Sequence, residues 1–87
     1  MKISKGYLLR SVAGKNLVVS VGSDVAFNGM LTLNDTGVFF WNLLQEDTTK
    51  EKLLSRVLEE YDVSPEEASQ DIDEFIKKLS DAKILED

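Results

Sequence analysis

Carboxylates are the most numerous side chains in this chain that could act in acid–base chemistry. The sequence contains neither cysteine nor histidine, which removes thiolate nucleophiles, cysteine-type zinc sites and the most common general base. Asp/Glu pairs are present, notably Asp71 with Asp73 and Glu74. Paired carboxylates can act as general acid and base when their surroundings raise one pKa. This cluster lies in a strongly charged helical segment with no Gly-rich phosphate loop beside it, so the composition predicts a protein that is not an enzyme.

The same composition argues against a resident metal or cofactor. Ca²⁺ and Mg²⁺ take oxygen ligands, and a Ca²⁺-binding loop typically alternates Asp and Asn along the chain. The sequence has no such loop. We therefore expect no cofactor, and we expect protein purified without tags to carry no stoichiometric zinc or iron.

Length and hydropathy predict one small domain without a membrane segment. The chain has 87 residues, of which 43% are hydrophobic, and a chain of this size needs a single core for its stability. No apolar run approaches the roughly 18–20 residues that span a bilayer, and Met1–Lys5 is not followed by the apolar region of a secretory signal. We expect a single domain over residues 1–87, located in the cytoplasm and independent of membranes.

Charge is distributed unevenly along the chain. Residues 1–45 carry four basic and two acidic side chains, net +2, whereas residues 46–87 carry six basic and fourteen acidic ones, net −8, which gives the total of −6. Proteins bind nucleic acid largely by neutralising phosphates with Lys and Arg. The acidic half therefore predicts no nucleic-acid partner, and it could also be no more than a solvated surface that keeps the protein in solution.

The first third of the sequence has the pattern of β-strands. Tyr7–Val12 and Leu17–Val21 are β-rich runs, and the turn-forming cluster Gly14–Asn16 between them predicts a hairpin. Asn28 and Gly29 predict a second turn before a short strand at Met30–Leu33. Alternation along that strand should direct Leu31 and Leu33 to the core. Whether Val25–Phe27 forms a strand is left open.

Three helices follow, each with a recognisable start. Asn34 is placed to cap the first, which continues through an almost wholly apolar run from Val38 to Leu44 around Trp41. Thr48–Glu51 and Ser64–Glu67 read as capping boxes for the second and third helices. The third helix then spaces Ala68, Ile72, Phe75 and Leu79 on one face. The fold class predicted is α+β and winged-helix-like: a three-stranded antiparallel sheet followed by three helices and a short extended tail at Lys83–Leu85.

Several motifs in this arrangement resemble those of the PqqD-like family of peptide-recognition domains. The main one is the series Leu33, Asn34, Gly37, Trp41 and Leu44. The others, in chain order, are Leu9-Arg10-x-Val12-x-Gly14, Tyr61-x-Val63 and Asp71-Ile72-x-x-Phe75-x-x-x-Leu79. Each motif is weak alone, but their order over residues 7–85 is fairly specific.

The resemblance implies a function in the modification of ribosomally made peptides. In such a family the leader segment of a precursor peptide is bound as an extra strand and delivered to a modifying enzyme, often a radical S-adenosylmethionine enzyme. The implied peptide-binding groove lies between the short strand and the third helix, and carried onto this chain it comprises seven residues. These are Met30, Leu31, Thr32, Leu33, Asp71, Phe75 and Lys78.

Each of these assignments has a structural alternative. Phe75 and Leu33 could be core residues, Asp71 and Lys78 could be solvated, and Trp41 is expected in the core with its N–H on a carbonyl. An alternative function also remains open, because an edge strand that accepts a peptide can equally accept a copy of itself. The protein could then be a structural protein–protein interaction module or a homodimer.

Overall fold

The computed structural model describes residues 1–20 and 31–86. Its elements, in chain order, are the strands and helices β1 (Lys2–Ile3), β2 (Tyr7–Val12), β3 (Lys15–Ser20), β4 (Leu31–Leu33), α1 (Asp35–Leu43), α2 (Lys50–Glu60), α3 (Pro65–Asp81) and β5 (Leu85–Glu86). Strands β2, β3 and β4 form an antiparallel sheet in that order. The predicted α+β class, with a three-stranded sheet followed by three helices, is confirmed. The interpretations of Val21, Val25–Phe27, Asn28, Gly29 and Met30 lie outside the described residues.

The hairpin between β2 and β3 is tighter than the sequence suggested. Val12 pairs with Lys15, so the loop has two residues, Ala13 and Gly14, with φ of 53° and 80°. Positive φ at both positions is typical of the type I′ turn, whose twist matches that of the flanking strands. The predicted turn at Gly14–Asn16 was therefore wrong in position, because Lys15 and Asn16 already belong to β3.

Side-chain caps define the starts of the three helices. Asn34 Oδ1 accepts the Gly37 N–H at 2.8 Å, and Ser64 Oγ accepts the Glu67 N–H at 3.2 Å, as predicted. The start of α2 was misplaced by one residue, because the cap is Thr49, which accepts the Lys52 N–H. Because Thr49 is the cap, Glu51 is the second residue of the helix, whereas a capping box requires Glu or Gln at the third.

One continuous core joins the sheet to the helices. Its fully buried members include Val18 from β3, Leu44 after α1, and Ile72 and Leu79 from α3. Trp41 is 3% exposed and Leu33 is 4% exposed, so both are core residues as expected. Within the described residues, none of the helices combines the length and apolarity that crossing a bilayer requires.

The chain ends pair with each other in a second, two-stranded sheet. Strand β5 runs antiparallel to β1, with Ile3 opposite Leu85, and it is preceded by the fully buried Ile84. An extended tail was predicted at Lys83–Leu85, but the strand begins only at Leu85, because Lys83 lies in a turn with φ of 60°. Its partner β1 was not predicted. A two-residue strand has no periodicity by which the sequence could reveal it.

Candidate functional site

A groove of about 420 Å³ lies between β4, the start of α1 and one face of α3. Ten of the described residues line it. They are Thr32, Leu33, Asn34, Thr36, Gly37, Phe40, Asp71, Glu74, Phe75 and Lys78. A cleft of this volume is within the size range of ligand sites in proteins.

Two aromatic rings form the apolar floor of the groove. Phe40 and Phe75 are 2% and 8% exposed, and their ring centroids lie 5.4 Å apart at an interplanar angle of 54°. Tilted pairs at this separation are favourable beyond the area that they bury. The two rings are therefore held firmly, and the small exposed part of Phe75 is available to a ligand side chain.

Gly37 allows α1 to approach both the strand and α3. A Cβ atom at this position would lie 3.2 Å from Leu33 Cβ, 3.2 Å from Asn34 Oδ1 and 3.4 Å from Phe75 Cε1. The first two distances are tighter than ordinary van der Waals contact, and the third is at the lower limit of that range. Because Gly37 has no side chain, the cap residue Asn34, strand β4 and the Phe75 ring can lie close together around one site.

The outer edge of β4 exposes the backbone of Thr32. In the described part of the chain β4 has one neighbour, β3, with Leu17 opposite Thr32. Lys78 Nζ, which comes from α3, donates a hydrogen bond to the Thr32 carbonyl oxygen at 3.4 Å. That carbonyl therefore faces the groove, and in an extended strand the N–H of the same residue points the same way. Thr32 and Leu17 form a non-hydrogen-bonded pair, and Leu31 and Leu33 make the ladder bonds to β3.

The rim of the groove is acidic. Asp71 and Glu74 are exposed on α3, and Lys78 is the single cation among the described residues that line the groove. The spacing of these side chains, with Phe75 between them, places all four on one stripe of the helix. The site thus combines an apolar floor, an unpaired strand edge and a negative rim.

The structure brings most of the predicted site residues together. Thr32, Leu33, Asp71, Phe75 and Lys78 all line the groove. Leu31 does not, because its side chain is half-buried and packs against the core. Met30 lies outside the described residues.

Five residues of the groove were not predicted as site residues. They are Asn34, Thr36, Gly37, Phe40 and Glu74. Glu74 could have been found, because it lies three residues after Asp71 and four before Lys78 on the same helical stripe. Asn34 had been interpreted as a helix cap, Gly37 as part of the family motif and Phe40 as part of an apolar helix, and Thr36 had been given no role. Nothing in the spacing of these residues shows that the start of α1 faces α3.

A second depression, of about 330 Å³, lies between the end of α1 and α2. Asp47 lies on its rim, and its pKa is lowered because the carboxylate accepts a 2.7 Å hydrogen bond from the N-terminal ammonium and lies beside that charge. The depression has mixed charges and no exposed strand edge. In residues 1–20 and 31–86, no group of three or more His, Cys, Asp or Glu side chains is arranged to hold a metal ion.

The fold and the groove define a winged-helix-like α+β domain whose sheet edge faces the third helix across an apolar floor. The family model for "Coenzyme PQQ synthesis protein D (PqqD)" matches residues 15–85, and the chain belongs to the PqqD family. No curated protein sequence matches this chain.

Two solved structures share the fold. One, described as TbiB1 in complex with the TbiA(beta) leader peptide, matches with a TM-score of 0.78 at 22% identity, covering 99% of this chain and 95% of that one. The other, lasso peptide synthetase B1 complexed with the leader peptide, matches with a TM-score of 0.71 at 16% identity, covering 92% and 89%. At these identities the likeness establishes the architecture.

Proposed function

We propose that this protein binds the leader segment of a ribosomally synthesised precursor peptide and presents it to a peptide-modifying enzyme. The leader adds to β4 as a further strand and lies in the groove against α3. The observation that carries the proposal is the Thr32 backbone, which faces a groove with an apolar floor and, among residues 1–20 and 31–86, no second neighbouring strand. Membership of the PqqD family and the leader peptides in both similar structures support the same function.

Strand addition suits this geometry because a strand edge supplies affinity through its backbone, and pockets beside it supply selectivity. Thr32 offers one N–H and one C=O, which together can pair with a single residue of the ligand. Neighbouring ligand residues then direct alternate side chains toward the Phe75 floor or away from it. We expect the preferred leader to carry an apolar anchor for this floor and a Lys or Arg near Asp71 and Glu74.

The protein acts as an adaptor without chemistry of its own. The chain lacks Cys and His, and the groove carboxylates Asp71 and Glu74 are exposed to solvent, where a basic side chain of the leader can reach them. The modifying chemistry belongs to the partner, for which the family resemblance suggests a radical S-adenosylmethionine enzyme.

The proposal is tested by selecting peptides against the immobilised protein from a display library of random twelve-residue sequences. We expect recovered peptides to bind with micromolar affinity or better in calorimetric titration. We also expect their sequences to match the start of a short reading frame encoded beside this gene.

The competing homodimer is tested in the same samples by sedimentation. A protein that selects no peptide and doubles in mass as its concentration rises would contradict the proposal and favour an interaction module. A monomer that selects no peptide would also contradict it.

A further inference from the structure

We propose that Lys78 is a latch on the β4 edge, which occupies the Thr32 carbonyl in the free protein and must leave when a peptide strand is added. The inference deepens the proposed function and rests on it. Lys78 Nζ donates to the Thr32 oxygen at 3.4 Å across 46 residues of sequence. Among the described residues that line the groove, no other cation is present to make this contact.

The latch and an added strand compete for the same space. A neighbouring strand lies about 4.7–4.9 Å away in the hydrogen-bonding direction, and its N–H nitrogen would approach the Thr32 oxygen to about 2.9–3.0 Å. The Lys78 ammonium lies on this outer side of β4 because its helix forms the opposite wall of the groove. An incoming backbone N–H therefore displaces it.

Glu74 can receive the displaced ammonium. It precedes Lys78 by four residues on α3, an order and spacing that favour a side-chain ion pair, and both residues line the groove. Opening the latch would then exchange a hydrogen bond to a carbonyl for a pair with a carboxylate. The net charge of the groove would stay the same, but Glu74 would then be paired with Lys78.

The latch also protects an otherwise exposed strand edge. Unpaired strand edges promote association between chains, and proteins commonly protect them with lysine side chains. With Lys78 in place, a second copy of this chain would have to displace the ammonium from the outer side of the Thr32 carbonyl. The latch thus favours the leader over self-association, because only a ligand with additional contacts in the groove compensates for its displacement.

Four variants test the latch, with Lys77→Met as the matched control. Lys77 is an exposed neighbour on α3 that does not line the groove, so its substitution makes the same charge change without touching Thr32. Lys78→Met and Lys78→Ala both remove the hydrogen-bond donor to Thr32. Met keeps an apolar chain of similar length, Ala removes it, and Lys78→Arg keeps a donor.

The first measurement uses the free protein and records the ¹³C chemical shift of the Thr32 carbonyl. We expect a shift in Lys78→Met and Lys78→Ala and little change in Lys78→Arg and Lys77→Met. A shift in Lys78→Met no larger than that in Lys77→Met would overturn the latch without reference to any ligand.

The second measurement titrates the tightest peptide from the display selection at 0.5 M NaCl, where charge effects between exposed groups are largely screened. Removing one competing hydrogen bond should tighten binding about two- to fivefold in Lys78→Met and Lys78→Ala relative to wild type. The affinities of Lys78→Arg and Lys77→Met should stay within about twofold of wild type, because only a small electrostatic effect of these substitutions remains at this salt concentration.

The outcomes separate the latch from the proposed function. Wild-type binding without a gain in Lys78→Met and Lys78→Ala, or with an equal gain in Lys78→Arg, overturns the latch and leaves the peptide groove in place. Failure of wild type and all variants to bind any selected peptide overturns the proposed function, and the carbonyl shift then decides the latch alone.

Discussion

Phe75 belongs both to the hydrophobic core and to the groove. Its ring packs against Phe40, and the residue is 8% exposed. The sequence left open whether Phe75 is a core residue or a groove residue, and it is both. This dual position determines how its contribution to binding can be measured. Truncation to Ala removes a buried aromatic ring, which costs about 3–5 kcal/mol, a large share of the stability of a small domain. A loss of binding in that variant would not distinguish a damaged site from an unfolded protein.

Phe75→Leu is the more informative substitution. Leu retains an apolar side chain of moderate size, so we expect a loss in unfolding free energy of about 1–2 kcal/mol. Loss of part of a buried anchor should weaken peptide binding about three- to tenfold. The matched control is Ile72→Val, which removes one methylene from a fully buried α3 residue outside the groove. Peptide binding is measured by calorimetry, and stability by denaturation curves. If both variants bind the peptide equally weakly, the loss comes from lower stability of the fold and not from a lost contact with the peptide.

Asp71 should contribute selectivity more than affinity. It is an exposed carboxylate at the rim, where an ion pair is worth about 0.2–1 kcal/mol and is screened by salt. We expect Asp71→Lys to weaken binding of a basic peptide about two- to fivefold at low salt and less than twofold at 0.5 M NaCl. Asp81→Lys makes the same charge change on α3 outside the groove and should have a smaller effect. A large, salt-independent loss for Asp71→Lys, with none for Phe75→Leu, would reverse this assignment and make Asp71, not Phe75, the main contact.

At the scale of elements, the site depends on the direction of the β4 backbone. The contact from Lys78 shows that the Thr32 carbonyl faces the groove. Proline at position 32 would therefore remove an N–H that β3 does not use, and prolines are tolerated on edge strands in such positions. The same substitution at Leu31 or Leu33 would remove a ladder bond.

We therefore expect Thr32→Pro to fold and to lose most of its peptide binding, by tenfold or more, because the ligand carbonyl loses its donor. Thr32→Val is the control, because it removes the hydroxyl and keeps the N–H. Both variants should retain the wild-type circular dichroism spectrum. Undiminished affinity in folded Thr32→Pro would point to a different binding surface.

Sequence patterns predicted the elements more accurately than their contacts. The periodicity of α3 and the caps at Asn34 and Ser64 are local signals, and they identified the helices. The pairing of β1 with β5 joins two short segments from opposite ends of the chain, for which no local signal exists. Likewise, the contribution of Gly37 and Phe40 to the groove depends on the angle at which α1 meets α3, which tertiary packing alone determines. Thr32, Asp71 and Lys78 were predicted as site residues from the resemblance to a known family more than from their spacing.

At the scale of the whole molecule, charge separates the protein from the DNA-binding winged helices whose shape it resembles. A recognition helix must approach phosphates, yet α3 carries six acidic and two basic residues, net −4. We expect no binding to duplex DNA at physiological salt. A salt-sensitive gel shift at micromolar protein would contradict this expectation.

The central claim is that a peptide binds by adding a strand to the β4 edge, and amide hydrogen exchange at Thr32 tests it most directly. In the free protein the Thr32 N–H faces the groove and has no strand partner in the part of the chain that the structure describes, so we expect it to exchange rapidly. On saturation with a selected peptide it should become protected at least tenfold, because it then donates to the ligand backbone. The Leu31 and Leu33 amides, already bonded to β3, should change little. A peptide that binds at saturation while Thr32 continues to exchange at its free rate would contradict strand addition.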